Sequence, residues 1–159
     1  MCLSFIQITI FVSYITFLVI KFGVLPSISE SWYQLRDLGG VWYSLFSWFC
    51  FGLGFTMFFQ TNGDVPYLFF LSGAGLSMIG VLTMFKLKND IQPYIHFVGC
   101  FISVVCGFFG IGIERHTWIP LIGFLIISTL LNFILKKNKM WWWEILAFTS
   151  IILGLLLTK

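Results

Sequence analysis

Apolar residues fall into six long runs along the chain, separated by short polar segments. The runs cover residues 3–25, 41–60, 66–85, 94–113, 118–135 and 140–157. A transmembrane helix needs about 20 consecutive, mostly apolar residues, and each run is close to that length. The pattern predicts an all-α, polytopic integral membrane protein. We expect a bundle of about six transmembrane helices with short loops, in which residues 1–159 form a single transmembrane domain.

The prolines mark the same boundaries. Pro26 follows the first run, and Pro66, Pro93 and Pro120 each stand at or near the start of a later run. A proline in a helix interior removes a hydrogen bond and clashes with the preceding turn, whereas one in the first turn is tolerated. The prolines therefore support these helix boundaries independently of hydrophobicity.

Composition narrows the choice of solvent and partner. The chain is 59% hydrophobic and only 9% charged, whereas soluble domains carry roughly 25% charged residues. Lipid is the solvent that suits such a surface, so membrane lipids are the expected partners. The net charge of +3 is scattered over short loops. Nucleic acid is not expected as a partner, because binding it needs a dense basic patch.

Lysine and arginine in the short loops predict the orientation, because these residues are enriched on the cytoplasmic side. Loops one, three and five carry six of them, namely Arg36, Lys86, Lys88, Lys136, Lys137 and Lys139. The other side carries Arg115 and Lys159. Loops one, three and five are therefore predicted to be cytoplasmic, and both termini are predicted to lie outside.

Small residues at helical spacing predict the packing faces, because lipid-embedded helices associate through close backbone contact. The third run has Gly73, Ser77 and Gly80 on one face. The fourth run has a comparable face of small residues, formed by Gly99, Ser103, Cys106, Gly107 and Gly110. Both faces are expected to contact protein, and they can pack on each other. We also expect a homo-oligomer or a membrane-complex partner, since so small a bundle needs neighbours to enclose a path.

Few ionisable side chains lie within the apolar runs, and each is costly in a membrane. His96 lies about one turn into the fourth run, and Glu144 about one turn into the sixth. Both are at the predicted cytoplasmic ends, and the first loop returns to that side with Ser29 and Glu30. Ser29, Glu30, His96 and Glu144 are therefore the candidate site residues.

Two interpretations of this group stay open. A histidine with carboxylates can bind a metal, relay a proton or hold a lipid headgroup. In that case His96, Glu30 and Glu144 are the candidate metal ligands and zinc is the metal to consider. Alternatively, the glutamates are hydrated at the interface and His96 bonds a neighbouring helix. No cofactor is otherwise predicted, since the sequence lacks phosphate-binding, zinc-protease and serine-hydrolase motifs.

Two segments carry a resemblance to known proteins. PSISESWY after the first run and PYIHFVG at the start of the fourth resemble small uncharacterised polytopic proteins of bacteria and their viruses. More distantly, they resemble the CREST-type membrane hydrolases, which include the alkaline ceramidases. There a serine, an acid and three histidines build a zinc site, so the resemblance implies roles for Ser29, Glu30 and His96. This chain has two histidines, His96 and His116.

Three functional hypotheses follow. The first, which we favour, is a non-enzymatic membrane protein that binds lipid or passes a small solute or ion as an oligomer. The second is a CREST-like membrane-embedded hydrolase. The third is a structural or accessory subunit of a larger membrane complex. Whether the chain is an enzyme is thus open, with a non-enzymatic role preferred.

Overall fold

Helices account for every regular element in the part of the chain that the computed structural model describes, residues 2–60, 65–84 and 91–157. In chain order these are α1 Cys2–Phe22, α2 Ser31–Leu38, a short 3-10 helix Gly40–Ser44, α3 Leu45–Phe58, α4 Tyr67–Met84, α5 Ile91–Glu114, α6 Ile119–Ile134 and α7 Lys139–Leu157. The predicted all-α class is confirmed for these residues.

Four of the described helical segments are long and apolar enough to cross a membrane. They are Leu3–Phe22, Gly40–Phe58, Tyr94–Glu114 and Lys139–Leu157. Two shorter apolar segments, Tyr67–Val81 and Ile119–Ile134, correspond to the third and fifth runs. The 16 residues of α6 rise about 24 Å, which is less than the hydrocarbon thickness of about 30 Å. The helical bundle is therefore confirmed, and the count of six crossings stays a prediction.

The first helix ends earlier than its apolar run. α1 stops at Phe22, because Gly23 takes the left-handed conformation with φ +76°. The Gly23 N–H donates to the Val19 carbonyl and closes the last turn, as glycine commonly does beyond a helix end. The following loop turns back and contains α2, whose buried residues are Ser31, Trp32 and Leu35.

The centre of the bundle is a three-helix layer in which α4 packs between α3 and α5. Glycines bring the backbones together on both sides of α4. A Cβ added at Gly73 would lie 2.5 Å from the Gly54 carbonyl oxygen of α3. One added at Gly75 would lie 2.6 Å from the Gly99 carbonyl oxygen of α5. The Ser72 hydroxyl also donates to the Ser103 carbonyl at 2.7 Å.

The small-residue faces thus contact protein, with one difference from the simplest pairing. Gly73 and Gly80 meet α3 and not α5. The face of α4 that meets Gly99 carries Gly75. Spacing identified the faces of small residues, but it could not say which neighbour each face meets.

α6 lies at the edge of the bundle and packs mainly on α7. Its apolar side chains are largely exposed, including Ile119, Ile126, Leu130 and Phe133. Ser128 is its one described buried residue. A surface of this kind is stable against lipid and unfavourable against water.

Candidate functional site

The loop after α1 folds over the start of α7. The Trp141 backbone N–H donates to the Pro26 carbonyl at 3.1 Å. The Asn138 side-chain amide donates to the Val24 carbonyl, also at 3.1 Å. Asn138 has φ +53°, a conformation that asparagine tolerates better than most residues. This turn directs α7 beneath the loop and places Trp141 in a fully buried position.

Glu144, one turn further along α7, holds the same loop by its carboxylate. It accepts hydrogen bonds from the Ile28 backbone N–H and from the Ser29 hydroxyl at 3.4 Å. The Ser29 backbone N–H is a further donor. Backbone donors that converge on one carboxylate form a strong, charge-assisted anchor. The structure therefore brings two of the predicted site residues together, Ser29 and Glu144.

The serines of the loop are engaged with the backbone and with each other. The Ser27 hydroxyl accepts from the Glu30 N–H at 3.0 Å and lies 3.1 Å from the Ser29 hydroxyl. Ser31 donates to the Ile28 carbonyl, and its oxygen lies 2.7 Å from the Tyr14 hydroxyl of α1. Short side-chain bonds of this kind stabilise turns before a helix. They fix the approach to α2 and tie it to α1.

The side chains of the other two predicted residues, His96 and Glu30, lie outside this hydrogen-bonded cluster. His96 Nε2 lies 3.5 Å from Cys100 Sγ, one turn along the same helix. The Glu144 carboxylate is close enough to Cys100 to interact with it electrostatically. Among the described residues, no hydrogen bond joins the Glu30 carboxylate to this cluster.

The geometry of this cluster suits an anchor better than a metal centre. The Glu144 oxygens are taken by hydrogen-bond donors. Within residues 2–60, 65–84 and 91–157, no group of three or more His, Cys, Asp and Glu side chains could hold a metal ion. The described residues therefore do not assemble the zinc ligands that the CREST resemblance implies.

Loss of the Tyr14 hydroxyl tests how firmly the loop is held. Because Ser31 donates its proton to Ile28, the Tyr14 hydroxyl is the donor in the Tyr14–Ser31 pair. We expect Tyr14→Phe to lower the free energy of unfolding by about 0.5–1.5 kcal/mol, measured by thermal unfolding in detergent. Tyr67→Phe, at an exposed tyrosine, is the control. Equal midpoints for the two variants would contradict the assignment.

A lateral groove between α1 and the start of α3 is a second candidate site, which sequence reasoning missed. Its volume is about 380 Å³. It is lined by Ile10, Ser13, Tyr14, Phe17, Trp42, Leu45, Trp48 and Phe49. The lining residues of α1 follow a spacing of three and four, so they share one helix face. That periodicity was visible in the sequence, but aromatic residues on a lipid-facing helix are too common to indicate a groove.

Stacked rings make the walls of this groove. Tyr14 and Phe49 stack with ring centroids 4.1 Å apart. Phe17 and Trp42 stack at 5.2 Å with an interplanar angle of 5°. The Tyr14 hydroxyl is engaged by Ser31, so the wall is mostly apolar, with Ser13 and the indole N–H groups of Trp42 and Trp48 as its other polar groups. The groove can therefore accept an apolar chain and offers little to a polar solute.

Comparison with protein families, with curated proteins and with solved structures finds no match to this chain. The resemblance to CREST-type proteins stays a prediction.

Proposed function

We propose that this chain is a non-enzymatic, multi-pass membrane protein that binds a membrane lipid in the groove between α1 and α3. The single observation that carries the proposal is the aromatic groove of about 380 Å³. Trp48 at its rim is 67% exposed. A lipid tail can enter such a groove sideways from the bilayer without passing through water.

The proposal includes six crossings, with loops one, three and five in the cytoplasm. The exposed apolar side chains of α6 support a crossing there, since they need lipid around them. A helix shorter than the hydrocarbon layer is accommodated by local thinning at a modest cost. α4 packs between α3 and α5, and this position supports a crossing because both neighbours belong to segments long enough to span a membrane.

Lipid binding is favoured over solute passage by the sizes of two cavities formed by the described residues. One of them lies in the interior of the bundle and has a volume of about 30 Å³. A single water needs roughly 10–15 Å³ of such volume, so this space holds one or two waters and is too small for a lipid chain. The lateral groove is more than ten times larger and opens on the outside of the bundle, beside the exposed Trp48.

Charge at one end of the groove favours an anionic headgroup. Lys21 lies one turn beyond Phe17 on the groove-lining face of α1 and is exposed. The ion pair found among the described residues joins Arg36 and Asp37, and Lys21 takes no part in it. A lysine near a helix end extends its ammonium group to the membrane surface, where it attracts anionic lipid by about 1 kcal/mol.

Blocking the groove tests the proposal. The protein is reconstituted in nanodiscs that contain equal phosphatidylglycerol and phosphatidylcholine, and lipid retained after release is counted by native mass spectrometry. Ser13→Phe places a ring in the groove, so we expect the retained lipid to be lost. Val12→Phe adds the same ring on the same helix at an exposed position outside the groove, and it should retain lipid. Retention by Ser13→Phe at the wild-type level would contradict the proposal.

The headgroup is tested separately in the same preparation. Lys21→Gln should keep a bound lipid, but its preference for phosphatidylglycerol over phosphatidylcholine should fall about fivefold, which corresponds to about 1 kcal/mol. Lys137→Gln removes a charge of the same sign from an exposed position in loop five and should leave the preference unchanged. An unchanged preference in Lys21→Gln would remove the headgroup assignment, while the groove would stand on the Ser13 result.

A further inference from the structure

The interior of the bundle contains a small space where five helices meet. Its volume is about 30 Å³. The polar side chains around it are Gln7 of α1, Ser72 of α4 and Ser103 of α5. Met57 of α3 and Ile151 of α7 are among the apolar ones. The space therefore lies between α1 and the α4–α5 pair.

Gln7 brings an unsatisfied acceptor to this space. Its side chain is 1% exposed. The amide nitrogen donates to Met57 Sδ at 3.3 Å, while the carbonyl oxygen Oε1 is buried without a hydrogen-bond partner. A buried acceptor left in this state costs about 1–3 kcal/mol, so an occupant that donates a hydrogen bond would be stabilising.

Ser72 offers a second acceptor. Its hydroxyl proton is directed to the Ser103 carbonyl at 2.7 Å, which leaves the lone pairs of its oxygen available. The space thus presents two acceptor oxygens from two helices, Gln7 Oε1 and Ser72 Oγ. An occupant with two donors satisfies both.

Volume and charge then identify the occupant. About 30 Å³ admits one or two water molecules, at roughly 10–15 Å³ for each. None of the lining side chains is ionisable, so a bound ion would lack a counter-charge in a medium of low dielectric constant. We infer that the cavity binds an ordered water molecule that donates hydrogen bonds to Gln7 Oε1 and Ser72 Oγ.

This water is a structural ligand of the bundle. α1 packs on α3 and α7, and the water provides its polar link to α4. Buried waters typically satisfy polar groups that the protein leaves unpaired, and they are costly to remove. The space is distinct from the lateral groove, since the two have no lining residue in common.

Magnetisation transfer from water to the Met57 methyl group tests this inference. The full chain is labelled with ¹³C-methyl methionine in deuterated detergent, and Met57 is assigned from Met57→Leu. We expect a cross-peak between the Met57 methyl and water. Met78, which lies in α4 but does not line the cavity, is the dry control.

Two further measurements separate a wet cavity from an empty one. Gln7→Leu removes the unsatisfied acceptor, so the cross-peak should disappear while the other methyl signals keep their positions. If Gln7→Leu does not fold, xenon titration of the wild-type protein distinguishes a water-filled cavity from an empty one, since dry apolar cavities bind xenon. Absence of a water cross-peak at Met57 together with a xenon-induced shift of its methyl would overturn the inference.

Discussion

Gly75→Ala is expected to separate α4 from α5 and to lower the free energy of unfolding by about 3 kcal/mol, at the upper end of the usual range for overpacking. The added Cβ would lie 2.6 Å from the Gly99 carbonyl oxygen and 2.9 Å from the Ser103 backbone nitrogen. Both atoms belong to helix backbone, so no side-chain rotation relieves the clash. Because α4 also packs on α3, a shift toward that side meets the Gly54–Gly73 contact.

Gly123→Ala is the matched control for this prediction. It makes the same change in α6, where an added Cβ meets nothing within 4 Å. Alanine also has the higher helix propensity, so this variant should be as stable as the wild type or slightly more so. The midpoint of thermal unfolding in detergent compares the two. Similar midpoints would mean that the α4 and α5 backbones are not in close contact at Gly75.

Glu144→Gln is expected to loosen the loop after α1. The variant loses the charge that strengthens the bonds from the Ile28 N–H and the Ser29 hydroxyl. The amide that replaces the carboxylate would keep one acceptor oxygen, so we expect a loss of about 1–3 kcal/mol. The loop should then open more often, and trypsin should cut after Arg36 of α2 faster.

Glu30→Gln controls for the loss of charge in the same region. Glu30 is also half-buried at the start of α2, yet its carboxylate has no described bond to the loop or to α7. The rate of tryptic cleavage after Arg36 is measured for both variants and the wild type. Acceleration confined to Glu144→Gln supports the anchor. Equal acceleration by both variants would show that charge in general, and not this contact, holds the loop.

Much of the helix pattern could be predicted from the sequence, because apolar runs and prolines act locally. The fifth run, 118–135, agrees within one residue at each end with α6. The helix predicted from the first run was too long, because the apolar residues continue to Leu25. The helix itself ends at Phe22, where Gly23 takes the left-handed conformation. A backbone conformation of that kind is decided by one residue and does not alter hydropathy.

The predicted topology, which returns the first loop to the start of the last helix, grouped the candidate site residues. Of these, Ser29 and Glu144 are hydrogen-bonded in the structure. His96 was grouped with them on the same argument, but its ring nitrogen lies beside Cys100, one turn along the same helix. The lateral groove and the Gln7 cavity depend on how helices are rotated against each other, and a pattern on one helix does not contain that information.

Cysteine accessibility tests the central claim, six crossings with loops one, three and five in the cytoplasm. Single cysteines replace Asp37, Val65, Thr117 or Lys137 in a chain without its native cysteines, and intact cells are treated with a membrane-impermeant maleimide. We predict labelling from outside at positions 65 and 117 and protection at 37 and 137. Opposite outcomes at 65 and 117 would show that α4 or α5 does not cross, and equal outcomes at 117 and 137 would show that α6 does not.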